Sequence, residues 1–298
     1  FLVSAFDEVR KKTKNKDDFE NFRVNGMYGI EEQDSIISLA IVNMIFRGDG
    51  KNNMIEGNCF RKWLNAKTSG KNYSAEYLSE DKKGRIAPIT KVMMNPPFAL
   101  KKDEEQENKF IEHALKQMTD EGILFAVLPI SVLVERGTKE WRKEVLLKNN
   151  RLLAVVTFPD DLFYPVMVGT IGLFVQKGKP HNYEKDEVYF ARCVKDGFSK
   201  KKGVRKESKK VRNMLEEIKD ELKDFIFTGK SPKEKNIAEF KKICLLDKED
   251  KDCDLTAEAY IESAIPSFDE LQKGLDEMIR EALAFKIKYS HKLEEAKK

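Results

Sequence analysis

The chain has 298 residues, of which 41% are hydrophobic and 36% are charged, and its formal net charge is only +4. This composition allows a sizeable core and excludes a function driven by total charge alone. No apolar run reaches the ~18 residues that a membrane span needs, and the first residues lack the basic flank of a signal peptide. We therefore expect a soluble, cytoplasmic protein without a membrane partner. The four cysteines never form a C-x-x-C pair, so neither a metal site nor a disulfide framework is indicated.

Short apolar runs alternate with amphipathic stretches through the first ~180 residues, which predicts a parallel α/β sheet built from βα units. The predicted strands are 27–31, 53–58, 91–94, 122–128, 152–158 and 170–176, and the predicted helices are 1–10, 34–46, 106–118 and 139–147. The last two strands follow each other without a clear helix, so we expect them to form an antiparallel hairpin at the edge of the sheet. The first helix has no strand before it, although a sheet of this type normally begins with one.

From about residue 195 the sequence becomes rich in lysine and glutamate, with one helical stretch at 208–227. A basic run from Lys200 to Arg212 either follows a phosphate backbone or forms a solvated loop. Ser267 and Glu270 form a capping box that opens a long helix with an apolar stripe, which packs on its own domain or on a partner. We therefore predict a catalytic domain over 1–198, a charged peripheral region over 199–266, and a C-terminal helix over 267–298.

The most specific motif is Asn95-Pro96-Pro97-Phe98, which directly follows the predicted strand 91–94. Ligands of open α/β sheets bind at the carboxyl ends of the strands. The Asn95 side-chain oxygen and the Pro96 carbonyl can accept both hydrogens of a planar amine, which localises the lone pair on nitrogen. The two prolines hold the turn rigid, and Phe98 offers an aromatic face to a base turned out of the duplex. The alternative is a plain proline-rich turn.

This motif resembles the catalytic motif of amino-methyltransferases that use S-adenosylmethionine, and its surroundings resemble the modification subunit of type I restriction systems or the methylase part of fused type II enzymes. The resemblance covers about residues 1–180. It implies a Rossmann-like α/β methyltransferase sheet with a helical C-terminal tail. In that family a glycine loop precedes the first helix, so the resemblance also implies that the N-terminal strand and its glycine loop are missing from this sequence.

Further positions resemble the family piece by piece. Glu31 ends a strand where the family has an acid that accepts from both ribose hydroxyls of the cofactor. Asn58 stands where the family usually has aspartate, and its amide oxygen can still accept from the amine of the cofactor's adenine. Phe110 matches an aromatic residue that packs on that adenine ring, and Phe163 matches one that lies against the target base opposite Phe98. Each of these residues could instead have an ordinary structural role.

The resemblance implies methyl transfer from S-adenosylmethionine to adenine N6 in double-stranded DNA, within a restriction-modification system. The implied protein partners are a specificity subunit or a fused recognition domain, and a restriction subunit. Two alternatives stay open. One is a methyltransferase for guanine N2 of ribosomal RNA or for protein glutamine, because the same two acceptors suit any planar amine. The other is a non-catalytic DNA-binding or assembly element. Because the implied glycine loop would hold the methyl donor, we expect residues 1–298 alone to bind the cofactor weakly or not at all and to be inactive.

Overall fold

A computed structural model of the chain describes residues 1–48, 53–63, 76–77, 89–98, 105–163, 168–201, 204–237 and 239–261, and scattered helical positions between 272 and 286. The chain divides into two compact units, Phe1–Ile261 and Glu262–Lys298. The start of the predicted C-terminal helix, Ser267 to Glu270, lies outside the described residues. In the described part of the chain, no helix is long and apolar enough to cross a membrane.

The N-terminal part contains helices and a small parallel sheet. Its elements are α1 (Leu2–Lys12), α2 (Lys16–Asn25), β1 (Gly29–Glu31), α3 (Asp34–Phe46) and β2 (Met54–Glu56), followed by the short parallel pair β3 (Lys62–Trp63) and β4 (Glu76–Tyr77). Strands β1 and β2 pair in parallel, with Gly29 opposite Met54. Phe6, Met27 and Met44 form the buried centre of this part. The predicted strands and helices are found here with shorter strand bounds, and α2 is an addition.

The larger sheet and its helices follow. The elements are β5 (Lys91–Met94), α4 (Glu107–Gln117), β6 (Ile123–Pro129), α5 (Ser131–Val134), a 3-10 turn (Arg136–Thr138), a π-helix (Trp141–Leu147), β7 (Asn150–Thr157), β8 (Thr170–Lys177), β9 (Glu187–Arg192), β10 (Phe198–Lys201), β11 (Val204–Glu207), α6 (Met214–Thr228), β12 (Asn236–Ile237), β13 (Lys241–Leu245) and α7 (Ala257–Tyr260). Among the described residues, the strand order of this seven-stranded sheet is β12-β13-β9-β7-β8-β6-β5. Strands β5, β6, β7 and β9 run parallel, and β8 lies antiparallel between β6 and β7.

Both faces of this sheet are covered, because successive side chains of each strand point to opposite sides. Along β7, Val155 belongs to a buried cluster with α4, α5 and the π-helix, whereas Ala154 and Val156 belong to a second cluster under α6. Helix α6 contributes Met214, Ile218 and Leu222, which are spaced four residues apart and therefore share one face.

Two expectations about the later part of the chain need correction. The antiparallel pair formed by β7 and β8 is confirmed, but the pair is not at the sheet edge, because β9 and β13 continue the sheet beyond β7. Residues 199–261 are not peripheral throughout, since β13 belongs to the sheet and α6 covers it. The high lysine and glutamate content conceals the apolar stripe of α6 and the buried Ile243 of β13. The domain boundaries at 198 and 266 stay a prediction.

A fully buried arginine joins the π-helix to the last part of this unit. The Arg142 guanidinium donates to the carbonyls of Cys253 (2.7 Å) and Asp252 (3.0 Å) on one side. On the other side it donates to the carbonyls of Val132 and Glu135 at 3.1 and 3.0 Å. Burial lowers the pKa of Arg142 from its usual value. Its forked donors satisfy four carbonyls at once, which fixes the 252–253 segment to the π-helix and to α5.

Candidate active site

The predicted site residues follow the carboxyl ends of parallel strands in both sheets. Glu31 ends β1, and Asn58 follows β2. Asn95 comes directly after β5, and the 158–163 segment follows β7. Strands that run parallel end at the same edge of their sheet, and this edge is where α/β enzymes bind ligands. The structure therefore arranges the predicted residues in two clusters, one at the small sheet and one at the large sheet.

The cluster at the large sheet contains the Asn-Pro-Pro-Phe motif. Asn95 and Pro97 are exposed, Pro96 is buried and Phe98 is half-buried. The buried Pro96 anchors the turn, and its neighbour Asn95 presents an amide to solvent just beyond the strand end. The ring of Phe98 meets the ring of Phe163 edge to face, with centroids 5.5 Å apart. The structure thus brings together the two aromatic residues that the sequence assigned to the target base.

The cluster at the small sheet contains Glu31 and Asn58. One oxygen of the Glu31 carboxylate accepts a hydrogen bond from the amide of Gln33 at 2.9 Å. The Asn58 side-chain oxygen accepts from the amide of Phe60 at 2.9 Å, and its nitrogen donates to both oxygens of Glu32 at 3.3 Å. These local bonds fix the directions of both side chains. Glu32, next to the predicted acid, was not singled out from the sequence.

Phe110 of α4 joins this cluster through a residue that the sequence analysis did not single out. Its ring lies 4.6 Å from the ring of Phe60, which in turn lies 5.1 Å from the imidazole of His113. His113 also hydrogen-bonds the backbone of Cys59, and burial lowers the pKa of His113. The signal for Phe60 was its position two residues after Asn58, in the turn that ends β2. These rings form an apolar aromatic surface beside the polar groups of Glu31 and Asn58.

Cys59 lies within the same turn and is half-buried. Burial, together with the negative charge of Glu32, raises the pKa of the Cys59 thiol to about 11. A thiol with this pKa is almost entirely protonated at neutral pH, whereas a cysteine nucleophile requires the thiolate. Cys59 therefore packs in this cluster as a small apolar group.

A mixed sheet with β8 inserted antiparallel between parallel strands, and with helices on both faces, is a Rossmann-like α/β methyltransferase fold. The same fold occurs in a structure described as the basis of complex assembly and conformational transition of the type I R-M system. That match has a TM-score of 0.62 and 22% identity, and it covers 98% of this chain and 59% of the other. The M protein of the type I restriction enzyme EcoKI matches with a TM-score of 0.55 and 18% identity, over 79% of this chain and 49% of the other.

Residues 1–267 match the N-6 DNA Methylase family, and the chain belongs to this family. It is also similar to the type II restriction enzyme and methyltransferase RM.BcgI of Heyndrickxia coagulans, at 31% identity over 209 residues. That alignment covers 68% of this chain but only 30% of RM.BcgI. The chain therefore spans less than a third of this relative and about half to three fifths of the two structures above.

Proposed function

We propose that the chain is the catalytic part of a restriction-modification enzyme that methylates adenine N6 in double-stranded DNA. The observation that carries the proposal is the position of Asn95–Phe98 at the end of β5, with Phe98 in edge-to-face contact with Phe163. Polar acceptors and an aromatic pair thus lie at the same edge of the large sheet. Membership of the N-6 DNA methylase family supports this assignment.

The motif supplies hydrogen-bond acceptors for an exocyclic amine. In our proposal the Asn95 side-chain oxygen and the Pro96 carbonyl each accept one hydrogen of the adenine amino group. Both bonds become stronger as the nitrogen lone pair turns from the ring towards the methyl group, so they stabilise the transition state more than the ground state. Because Pro96 is buried and two prolines restrict the backbone, the acceptors are aimed before the substrate arrives.

The described residues fit the adenosine half of S-adenosylmethionine. When it is bound, this cofactor supplies the methyl group. Glu31 has one carboxylate oxygen fixed by Gln33 and retains acceptor capacity for the two ribose hydroxyls. Phe110 and Phe60 offer a flat apolar surface for an adenine ring. Asn58 is held beside them and can accept from the adenine amine through the second lone pair of its side-chain oxygen.

The target adenine must leave the duplex stack to reach Asn95, at a cost of a few kcal/mol. Phe98 and Phe163 are half-buried rings at the same edge of the large sheet, and stacking on an aromatic ring offsets about 1–3 kcal/mol of this cost per base. We assign both rings to the flipped base. Phe98 belongs to the same turn as the two acceptors. A base that stacks on Phe98 therefore has its amine close to Asn95 and Pro96.

DNA and subunits of restriction-modification systems are the partners in this proposal. RM.BcgI is by its name both a restriction enzyme and a methyltransferase, and the EcoKI match is the M protein of a type I restriction enzyme. By analogy we propose a specificity subunit or a fused recognition domain for this chain, and a restriction subunit as a further partner. Readout of the DNA sequence would then come from outside the described residues.

The proposal is tested by identifying the methylated product and the residue that it depends on. The complete enzyme is incubated with labelled S-adenosylmethionine and double-stranded DNA, and the modified nucleoside is identified by mass spectrometry. We expect N6-methyladenine, and a loss of about 100- to 1000-fold in kcat for Asn95→Ala, because one preorganised group at the reacting atom is removed. Asn21→Ala, in an exposed position of α2, is the matched control and should retain full activity.

Full activity of Asn95→Ala would show that the motif is a structural turn. Methylation of guanine N2 or of a protein glutamine, with DNA adenine left unmodified, would support the alternative substrates. Absence of any methyl transfer by the complete enzyme would favour a non-catalytic assembly role.

A further inference from the structure

The segment that carries Phe163 is fixed at its beginning by the sheet. The amide of Phe158 donates to the carbonyl of Thr170 at 2.9 Å, which extends the pairing of β7 and β8 by one residue. The Phe158 ring packs on Gly172, where an added Cβ would lie only 2.9 Å from the ring. The absence of a side chain at Gly172 therefore allows the ring to pack closely on the strand. This contact fixes the first residue of the segment but not Phe163, which lies five positions further on.

The other end of the segment is held by an arginine from a different element. Arg205, on β11 of the β10–β11 hairpin, donates from Nη1 to the carbonyl of Leu162 at 3.1 Å. Its Nε lies 3.7 Å from the carboxylate of Asp161. Leu162 is the residue directly before Phe163, so the guanidinium binds the backbone next to the residue that carries the aromatic ring.

Arg205 is itself held firmly on the side of the hairpin. Its Nη2 forms an ion pair with Asp196, whose side chain is only 5% exposed, and the Arg205 side chain is only 15% exposed. The guanidinium also lies 5.2 Å from the centroid of the Phe198 ring, in the range of a cation–π contact. A buried carboxylate and an aromatic face thus fix the position of the guanidinium, and its other nitrogens face the Leu162 carbonyl and the Asp161 carboxylate.

We propose that Arg205 is a positioning residue that sets Phe163 for stacking against the flipped adenine. This inference rests on the proposed function, since it assumes that Phe163 contacts a base. The argument is geometric: the planar fork of arginine bonds Asp196 and the Leu162 carbonyl at the same time, whereas a lysine ammonium is a single point charge on a flexible stem. Arginine is therefore required if both contacts matter, and any cation suffices if only the ion pair with Asp196 matters.

The experiment measures base flipping directly. The complete enzyme is mixed with a DNA duplex that carries 2-aminopurine at the target adenine, whose fluorescence rises when the base leaves the stack. Arg205→Lys retains the charge beside Asp196 but loses the fork. We expect a clearly smaller fluorescence rise for this variant and a kcat on normal DNA about tenfold lower, because loss of a hydrogen bond to a charged group has this magnitude. The KM for S-adenosylmethionine and the thermal unfolding temperature should stay close to those of the unaltered enzyme.

A matched control and a second variant keep the result interpretable. Arg212→Lys changes an exposed arginine that pairs with Glu217, and it should leave flipping and kcat unchanged. If Arg205→Lys does not fold, the double variant Arg205→Gln/Asp196→Asn replaces both buried charges by amides, so that neither is left unpaired. The double variant should fold and should show the same loss of flipping.

Failure of this inference is distinguishable from failure of the proposed function. Normal flipping and normal kcat in folded Arg205→Lys, or in the double variant, would overturn the role of Arg205. In that case an enzyme that still methylates adenine and still depends on Asn95 leaves the proposed function intact. An unaltered enzyme that neither flips nor methylates adenine would overturn both.

Discussion

The two clusters of the candidate site differ in what supports them. The cluster with Asn95 and Phe98 lies at the end of a seven-stranded sheet with buried apolar clusters on both faces. The cluster with Glu31 and Asn58 lies on a two-stranded sheet whose buried centre is small. Helix α3, which connects these two strands, buries Met44 but leaves Phe46 83% exposed.

This difference matches the tolerance that each task allows. Transfer of a methyl group requires the acceptors on the amine to be aimed within a fraction of an ångström, and a displacement of about 1 Å costs roughly 100-fold in rate. In the proposed function the group that accepts from the ribose hydroxyls is Glu31, and a local hydrogen bond from the amide of Gln33 holds it. We therefore expect changes around the large sheet to lower global stability, and changes at the small sheet to alter the cofactor affinity proposed above.

The largest expected effect follows from removing the buried arginine of the π-helix that packs on the large sheet. Arg142→Met removes the donor of the Cys253 and Asp252 carbonyls, at about 1–3 kcal/mol for each carbonyl left unpaired, and one of the donors of the Val132 and Glu135 carbonyls. We expect the free energy of unfolding to fall by about 3–5 kcal/mol, measured by chemical denaturation. Arg136→Met, at an exposed position six residues earlier, is the control and should change it by less than about 0.5 kcal/mol. A loss below about 1 kcal/mol for Arg142→Met would contradict the stabilising role of this residue.

Much of the fold could be predicted from the spacing of apolar residues along the sequence. The strand at 91–94 and the helix at 34–46 have the predicted bounds, because the apolar runs are uninterrupted and end at turn residues. The order of these elements along the chain also predicts which strands run parallel. The position of the β7–β8 pair within the sheet does not follow from the sequence, because neighbours in a sheet are set by contacts between distant segments.

The candidate site shows the same limit at the level of single residues. Asn95 and Phe98 belong to the same motif and could be predicted together. The pairing of Phe98 with Phe163, in contrast, could be predicted only from the resemblance to a known family. Arg205 could not be predicted as a support of Phe163, because 42 positions separate them and the surrounding basic run is also typical of a solvated loop. Contacts that depend on where a hairpin folds back become visible only in three dimensions.

A second prediction concerns how acid changes the stability of the part of the chain that contains the large sheet. His181 is buried, and burial lowers its pKa from 6.5 to about 4. Because the unfolded chain binds a proton on this residue below pH 6.5 and the folded protein does so only below about pH 4, stability falls as the pH decreases through this window. The loss amounts to about 3 kcal/mol at the lower end. Replacing the imidazole in His181→Leu should abolish this part of the pH dependence, measured by denaturation at pH 7 and pH 4. An unchanged difference between the two pH values would assign the acid sensitivity to other groups.

The smallest effect is expected on the small sheet, where a change should alter binding and leave the fold intact. Glu31→Gln removes the charge that strengthens hydrogen bonds to the ribose hydroxyls, so the Kd of the complete enzyme for S-adenosylmethionine should rise about tenfold or more. The neighbouring Glu32→Gln is a matched control, because Glu32 is exposed and accepts from Asn58. Its effect on Kd should be less than about threefold, since it changes one weak polar contact at the surface. Isothermal titration measures both values, and denaturation should show equal stability for both variants. If Glu32→Gln weakens binding more than Glu31→Gln, the acid that holds the ribose is Glu32, and the strand end alone does not determine which carboxylate binds.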